Sequence, residues 1–151
     1  MAKEINILNK KARFNYELSD DVIAGIQLLG TEIKSIRTGK ASIVEAYCLI
    51  KHNELFIRNM YVKEYENAGY AQHEPIRDRK LLIQKKELLK FEKALQIQGT
   101  TIIPTRLFIN DKGLAKVKIA VARGKKLHDK REDLKKKDAK REIDRMKKQY
   151  R

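Results

Sequence analysis

Two alternating runs that fold back on each other constrain this chain most. Residues 100–110 and 114–122 flank Asp111-Lys112-Gly113, a turn whose glycine readily takes a positive φ. In the second run Val117, Ile119 and Val121 fall on one side and Lys116, Lys118 and Ala120 on the other. That two-residue period predicts a hairpin with one face in a core and a basic row standing on an exposed sheet surface. A second hairpin is predicted over residues 42–51 and 55–62, joined by His52-Asn53-Glu54.

The rest of the chain alternates short elements of both kinds. Residues 13–18 put Phe14, Tyr16 and Leu18 on one face of a half-buried strand. Ser19-Asp20-Asp21 carries the signal of a helix N-terminus, predicting a short helix that ends near Gly25, followed by a strand over 26–29. Thr31 is placed to cap a helix over 32–38, with Gly39 at its C′ position. Residues 63–78 are polar and read as the longest loop, 80–83 as a short buried strand, and 86–98 as an amphipathic helix stopping at Gly99. Six or seven short strands interrupted by short helices predict a mainly β fold, an OB-like closed barrel over residues 1–122 of the kind that presents its faces and loops to nucleic acid. A ferredoxin-like sheet fits less well, because its regular βαββαβ order does not match the two hairpins.

Charge then divides the chain. The 151 residues hold 35 Lys and Arg against 20 Asp and Glu, a net +15. Residues 123–151 alone hold 14 basic and 6 acidic side chains, net +8, while their large apolar residues are only Leu127, Leu134, Ile143, Met146 and Tyr150. That is too little to anchor a packed element. Yet the segment has no Pro, its one Gly is Gly124, and Glu132/Lys136 and Asp133/Lys137 are acid-before-base pairs at helical spacing. The expectation is a basic C-terminal tail, disordered when free and helical against a polyanion; 26 helical residues would reach about 40 Å. Clustered positive charge of this kind points to phosphates, which Lys and Arg neutralise with release of counterions.

Other classes of function fare poorly. Mean hydropathy is −0.61, and no apolar run reaches the roughly 18 residues of a membrane helix. The N-terminus Met-Ala-Lys-Glu-Ile-Asn lacks the apolar core of a secretory signal, so a cytoplasmic protein is expected. The single Cys48, in an apolar stretch, excludes an intramolecular disulfide and reads as a small buried hydrophobe. His52, His73 and His128 lie in a turn, a loop and the tail, without metal-ligand spacing; no metal and no cofactor are expected. Gly124-Lys125-Lys126 lacks the upstream glycine and the Ser or Thr of a phosphate-binding loop, and no nucleophile motif occurs, so the chain reads as a non-enzyme.

Several strings occur together and in order: Asn9-Lys10-Lys11-Ala12-Arg13-Phe14-Asn15-Tyr16, Ala24-Gly25-Ile26, Gly30-Thr31-Glu32-Ile33-Lys34-Ser35-Ile36-Arg37, Arg79-Lys80-Leu81-Leu82, and Ala122-Arg123-Gly124-Lys125-Lys126-Leu127-His128-Asp129-Lys130-Arg131. Together they resemble the small protein B family, the bacterial SsrA-binding proteins, over nearly the whole chain. The resemblance implies an OB-like barrel that binds the transfer RNA-like part of transfer-messenger RNA and delivers it to stalled ribosomes for trans-translation. It implies further that the tail, through Lys125, Lys126, His128, Asp129, Lys130 and Arg131, occupies the decoding centre and the empty messenger RNA channel of the small subunit. Elongation factor Tu is an implied partner in delivery, and a monomer without membrane attachment is expected.

By the same resemblance the RNA-contacting residues are Asn9, Arg13, Tyr16, Tyr47, Arg79, Lys80, Leu82 and Lys116. Lys and Arg suit phosphates, Asn9 suits backbone or base edges, and a tyrosine stacked on an unpaired base is worth about 1–3 kcal/mol. For Tyr16 and Tyr47 the competing place is the core, and Leu82 reads more as core than as contact. The chain departs from the family where many members carry a Glu immediately before Ala24-Gly25. Here Ile23 stands, so that either the contact is dispensable in this chain or Glu32 or Asp21 partly replaces the acid. The rival reading is a general basic RNA-binding or ribosome-associated protein with an OB-like core.

Overall fold

The computed structural model describes residues 5–65 and 72–124. In chain order the elements are β1 (Asn6–Leu8), α1 (Ala12–Asn15), β2 (Tyr16–Ile26), α2 (Gly30–Arg37), β3 (Ala41–Ser42), β4 (Tyr47–Lys51), β5 (Glu54–Arg58), β6 (Tyr61–Val62), β7 (Arg79–Leu82), α3 (Lys85–Leu95), β8 (Thr100–Ile109) and β9 (Ala115–Gly124). The large sheet runs β1-β8-β4-β5-β7-β2-β9, and β9 also pairs with β8. Six antiparallel strands therefore close into a ring, which removes their free edges, and β1 is added to the outside of β8. A small β3–β6 sheet stands apart.

Both predicted hairpins form, β4–β5 and β8–β9. The first turns on only two residues, His52 and Asn53, at φ 53° and 61°, the double left-handed conformation whose twist matches the strands it joins. Glu54, predicted in the turn, pairs with Lys51 instead. Inward residues of the strands, among them Cys48, Leu55, Ile57, Leu81, Ile102, Leu107, Val117 and Ile119, make the main core, to which α2 adds Ile36 and α3 adds Phe91. Cys48 is buried there, and desolvation pushes its thiol far above the ordinary value, making it inert.

The N-terminal third differs from the sequence reading. Residues 12–15 form one helical turn rather than a strand, and the helix predicted after Ser19 is absent. A single strand, β2, runs from Tyr16 to Ile26. It pairs with β9 from Tyr16↔Gly124 to Gly25↔Lys116, with a bulge between Ser19 and Val22 where Asp20 takes φ 55°. Ladder hydrogen bonds along a strand of this length outweigh a local capping preference of about 1 kcal/mol. Helix α2 starts earlier than expected: Glu32 Oε1 accepts from the Leu29 N–H at 2.7 Å, and Gly39 ends it at φ 76°.

A second bulge, between Pro104 and Arg106, shapes the outer surface. Ile102 and Leu107 both enter the main core although they stand five positions apart, an odd spacing that a regular strand forbids and one extra residue permits. Pro104 is tolerated at such a bulge because the ladder is already broken there. The freed carbonyls are not left bare: Asn9 Nδ2–H donates to Pro104 O at 2.9 Å and the Asn9 N–H donates to Thr105 O at 3.0 Å. This docks α1 on the outside of the ring. Ala12 packs there with Ile103 and Ala122 in a second, smaller core flanked by Tyr16, Leu18 and Tyr47. The basic row predicted on β9 consequently stops at Lys118, for Ala120, opposite Ile103, is fully buried.

Candidate nucleic-acid interface

The sequence-predicted residues fall into two groups on the outside of the ring and one residue inside it. Asn9, Tyr16 and Tyr47 line one cavity of about 360 Å³ together with Lys11 and Asn15. Both tyrosines are half-buried, sharing their surface between the second core and this cavity. Neither tyrosine is wholly taken up by the core, and each keeps part of its surface on the cavity. Asn9 is 8% exposed, and its Oδ1 has no hydrogen-bond partner among the described residues. Arg13 is exposed one turn away, on a groove it shares with Arg106 and Lys118.

The second group lies across β7, β2 and β9. Gly25 pairs with Leu82 on one side and Lys116 on the other. A Cβ at Gly25 would sit 3.4 Å from Leu82 Cβ and 3.6 Å from Lys116 Nζ, so the missing side chain lets the lysine lie flat over the strand. Lys116 has no ion-pair partner among the described residues, whereas Lys80 pairs with Glu54 at 3.0 Å and Lys118 with Asp21 at 3.3 Å. Leu82 is 48% exposed. Its predicted place in the core is corrected: Arg79 and Leu81 take the inward positions of β7, so alternation turns Lys80 and Leu82 outward.

Arg79 is the larger correction. Expected as a phosphate contact, it is wholly buried. Its Nε–H donates to Glu32 Oε2, and its terminal nitrogens donate to Met60 O at 2.7 Å and to Arg77 O and Pro75 O at 3.3 Å. Arg77, more exposed, grips the same carboxylate with Nε to Oε2 at 3.1 Å and Nη2 to Oε1 at 2.6 Å. Burial pushes the Glu32 carboxyl up, but hydrogen bonds from Arg77, the Leu29 N–H and Arg79 outweigh it and hold the group below its ordinary range. Burial likewise pulls the Arg79 guanidinium down, against the opposing pull of Glu32. The cluster ties α2 to the segment entering β7, and so sets where Lys80 and Leu82 stand.

Glu32 is therefore committed inside and cannot supply a surface acid in place of the residue that Ile23 replaces. Ile23 is 59% exposed, directly opposite Lys118. Arg106 and Phe108 on β8, which the sequence reading passed over, face outward opposite Lys118 and Lys116. Lys125, Lys126, His128, Asp129, Lys130 and Arg131 lie outside the described residues. Among the described residues no group of three or more His, Cys, Asp or Glu could hold a metal ion.

A closed antiparallel ring that carries cations, half-buried tyrosines and an exposed leucine on its outer face defines the class, a small RNA-binding β protein. The profile of the SmpB protein family matches residues 6–149, and the chain belongs to that family. It is 55% identical over 150 residues to the SsrA-binding protein of Christiangramia forsetii, covering 99% of this chain and 96% of that one. It is 57% identical over 142 residues to that of Phocaeicola vulgatus, covering 94% and 95%. A solved chain from "tmRNA-SmpB: a journey to the center of the bacterial ribosome" superposes with a TM-score of 0.69 at 38% identity, covering 82% of this chain and 86% of that one. Among the described residues no helix is long and apolar enough to cross a membrane.

Proposed function

We propose that this chain is a non-catalytic RNA-binding protein that binds the transfer RNA-like part of transfer-messenger RNA and carries it to stalled ribosomes for trans-translation. One observation carries the reading: a chain that matches SsrA-binding relatives along nearly its whole length groups Asn9, Tyr16 and Tyr47 around one outer cavity, with Lys116 and Leu82 on the same outer surface. Half-buried tyrosines suit stacking on unpaired bases, and the unpaired lysine suits a phosphate. Residues 1–122 supply this binding. Residues 123–151 act on the ribosome, with Lys125, Lys126, His128, Asp129, Lys130 and Arg131 at the decoding centre and in the messenger RNA channel. The protein works in the cytoplasm as a monomer, with elongation factor Tu in the delivery complex.

The test is affinity for the transfer RNA-like fragment against an ordinary transfer RNA and a plain duplex, each at two salt concentrations. A preference that survives the higher salt is the expected result. Equal binding that salt erases would leave the rival reading, a general RNA-coating protein. Removing the residues from Leu127 onward should leave fragment affinity within an order of magnitude and abolish peptide tagging in a reconstituted translation system.

A further inference from the structure

Arg106 and Lys118 stand directly opposite each other on β8 and β9. Like charges at such a position are about 5 Å apart at Cβ and destabilise a sheet. The bulge at Thr105 is what turns Arg106 outward to meet Lys118; alternation from Ile102 without it would send Arg106 inward. The fold thus spends a ladder irregularity to create a repulsive pair. Each member is steadied from the side: Arg106 Nε–H donates to Asn6 Oδ1 and its guanidinium lies 4.2 Å from the Phe108 ring centroid, while Lys118 is held by Asp21. Arg13 closes the arrangement from α1 across two adjoining grooves of about 390 and 420 Å³, both lined by Arg13, Leu18, Thr105 and Lys118. Arg13 makes no ion pair among the described residues, and Asp21 is the one carboxylate on either groove.

We propose that Arg13, Arg106 and Lys118 form a phosphodiester clamp that joins the Asn9–Tyr16–Tyr47 cavity to the Lys116–Leu82 surface in one RNA track, and that Asp21 occupies Lys118 until a phosphate displaces it. The inference rests on the RNA-binding reading above and adds to it the residues Arg106, Lys118 and Asp21. A phosphate between the two strands removes the cross-strand repulsion and takes hydrogen bonds from both cations, which is why the pair is held in place. Phe108 keeps the guanidinium lying along the sheet, so the cation is ordered before RNA arrives. Lys116, one position further along β9 on the same face, continues the line of charge.

The experiment is a salt titration of binding to the transfer RNA-like fragment by the full chain and its variants. Each neutralised phosphate steepens the salt dependence by about 0.7–0.9 in log–log slope, so each lost contact shrinks the affinity drop between 50 and 200 mM salt about 3-fold. Arg106→Gln and Lys118→Gln should each show that reduction, and Lys90→Gln, on α3 and paired with Asp20, should not. Asp21→Asn should raise affinity at 50 mM salt by at most about 5-fold. Asp20→Asn, the same change of net charge away from the clamp, should raise it less. If Arg106→Gln and Lys118→Gln keep the wild-type slope while Lys116→Gln loses one contact, the clamp is wrong and the RNA reading stands. Equal gains from Asp21→Asn and Asp20→Asn would reduce Asp21 to bulk charge and overturn the displacement. If the wild-type chain itself shows no preference for the fragment, both inferences fall together.

Discussion

Glu32→Gln tests the buried cluster with nearly no change of shape. The glutamine keeps an acceptor for the Leu29 N–H but removes the negative charge facing Arg79, whose side chain, like that of Glu32, has no exposed surface. Arg79 would keep its bonds to Met60 O and Pro75 O, which satisfy donors without balancing a charge. Breaking a buried pair from one side costs about 3–5 kcal/mol, because the remaining ion is left uncompensated. Arg77, 31% exposed at its side chain, loses the same charged partner, a loss that water screens in part. Against a typical domain stability of about 5–15 kcal/mol the variant should fold with its urea midpoint lowered by upwards of about 1 M, taking an m-value of about 1–3 kcal/mol per molar. Replacing both charges, Glu32→Leu with Arg79→Met, should recover most of the loss, as apolar substitutes for buried pairs commonly do. A cost below about 1 kcal/mol for Glu32→Gln, or a double variant that simply sums the two single losses, would refute the account of Arg79 as a charge balanced by Glu32.

Acid should expose the same cluster. Because the Glu32 carboxyl is held below its ordinary value of 4.5 in the fold, its contribution is complete above that pH and drains away as pH falls toward the folded value; urea midpoints taken between pH 7 and 3 should drop in that window, and the drop should be smaller in Glu32→Gln. The β4–β5 turn places His52 and Asn53 in the left-handed region, where a residue such as histidine loses roughly 1–2 kcal/mol. Exchanging the pair for Asn-Gly should therefore raise stability by about 1 kcal/mol, or roughly 3–6 °C in a thermal melt. Lys116→Glu should weaken binding to the transfer RNA-like fragment and flatten its salt dependence by about one phosphate equivalent, with the melting temperature nearly unchanged because the side chain has no ion-pair partner among the described residues to lose.

The hairpins were legible because everything that makes them is local: a two-residue period, a turn between two runs, and Val117 and Ile119 set against Lys116 and Lys118. The motif that resembles the SsrA-binding proteins was legible for a similar reason, being written in contiguous strings. Arg106 was not. Counting by twos along residues 100–110 sends it inward with Ile102, and nothing in the local string announces the extra residue at Thr105 that turns it out. Pro104 was the one available signal, since a proline in a paired strand marks an edge or a bulge.

Sequence by itself determined which stretches pair as hairpins, where the positive charge gathers and to which family the motifs point, because periodicity, composition and short strings need no partner elsewhere in the chain. Tertiary structure decided the rest. Ser19-Asp20-Asp21 became strand because β9 lay alongside. Arg79 became core because Glu32, 47 residues away, could balance it. Leu82 became surface because Arg79 and Leu81 took the inward positions of β7. In each case a local preference of about 1 kcal/mol gave way to a part of the chain distant in sequence: the ladder to β9, the carboxylate of Glu32, and the pairing that fixes which side of β7 faces inward.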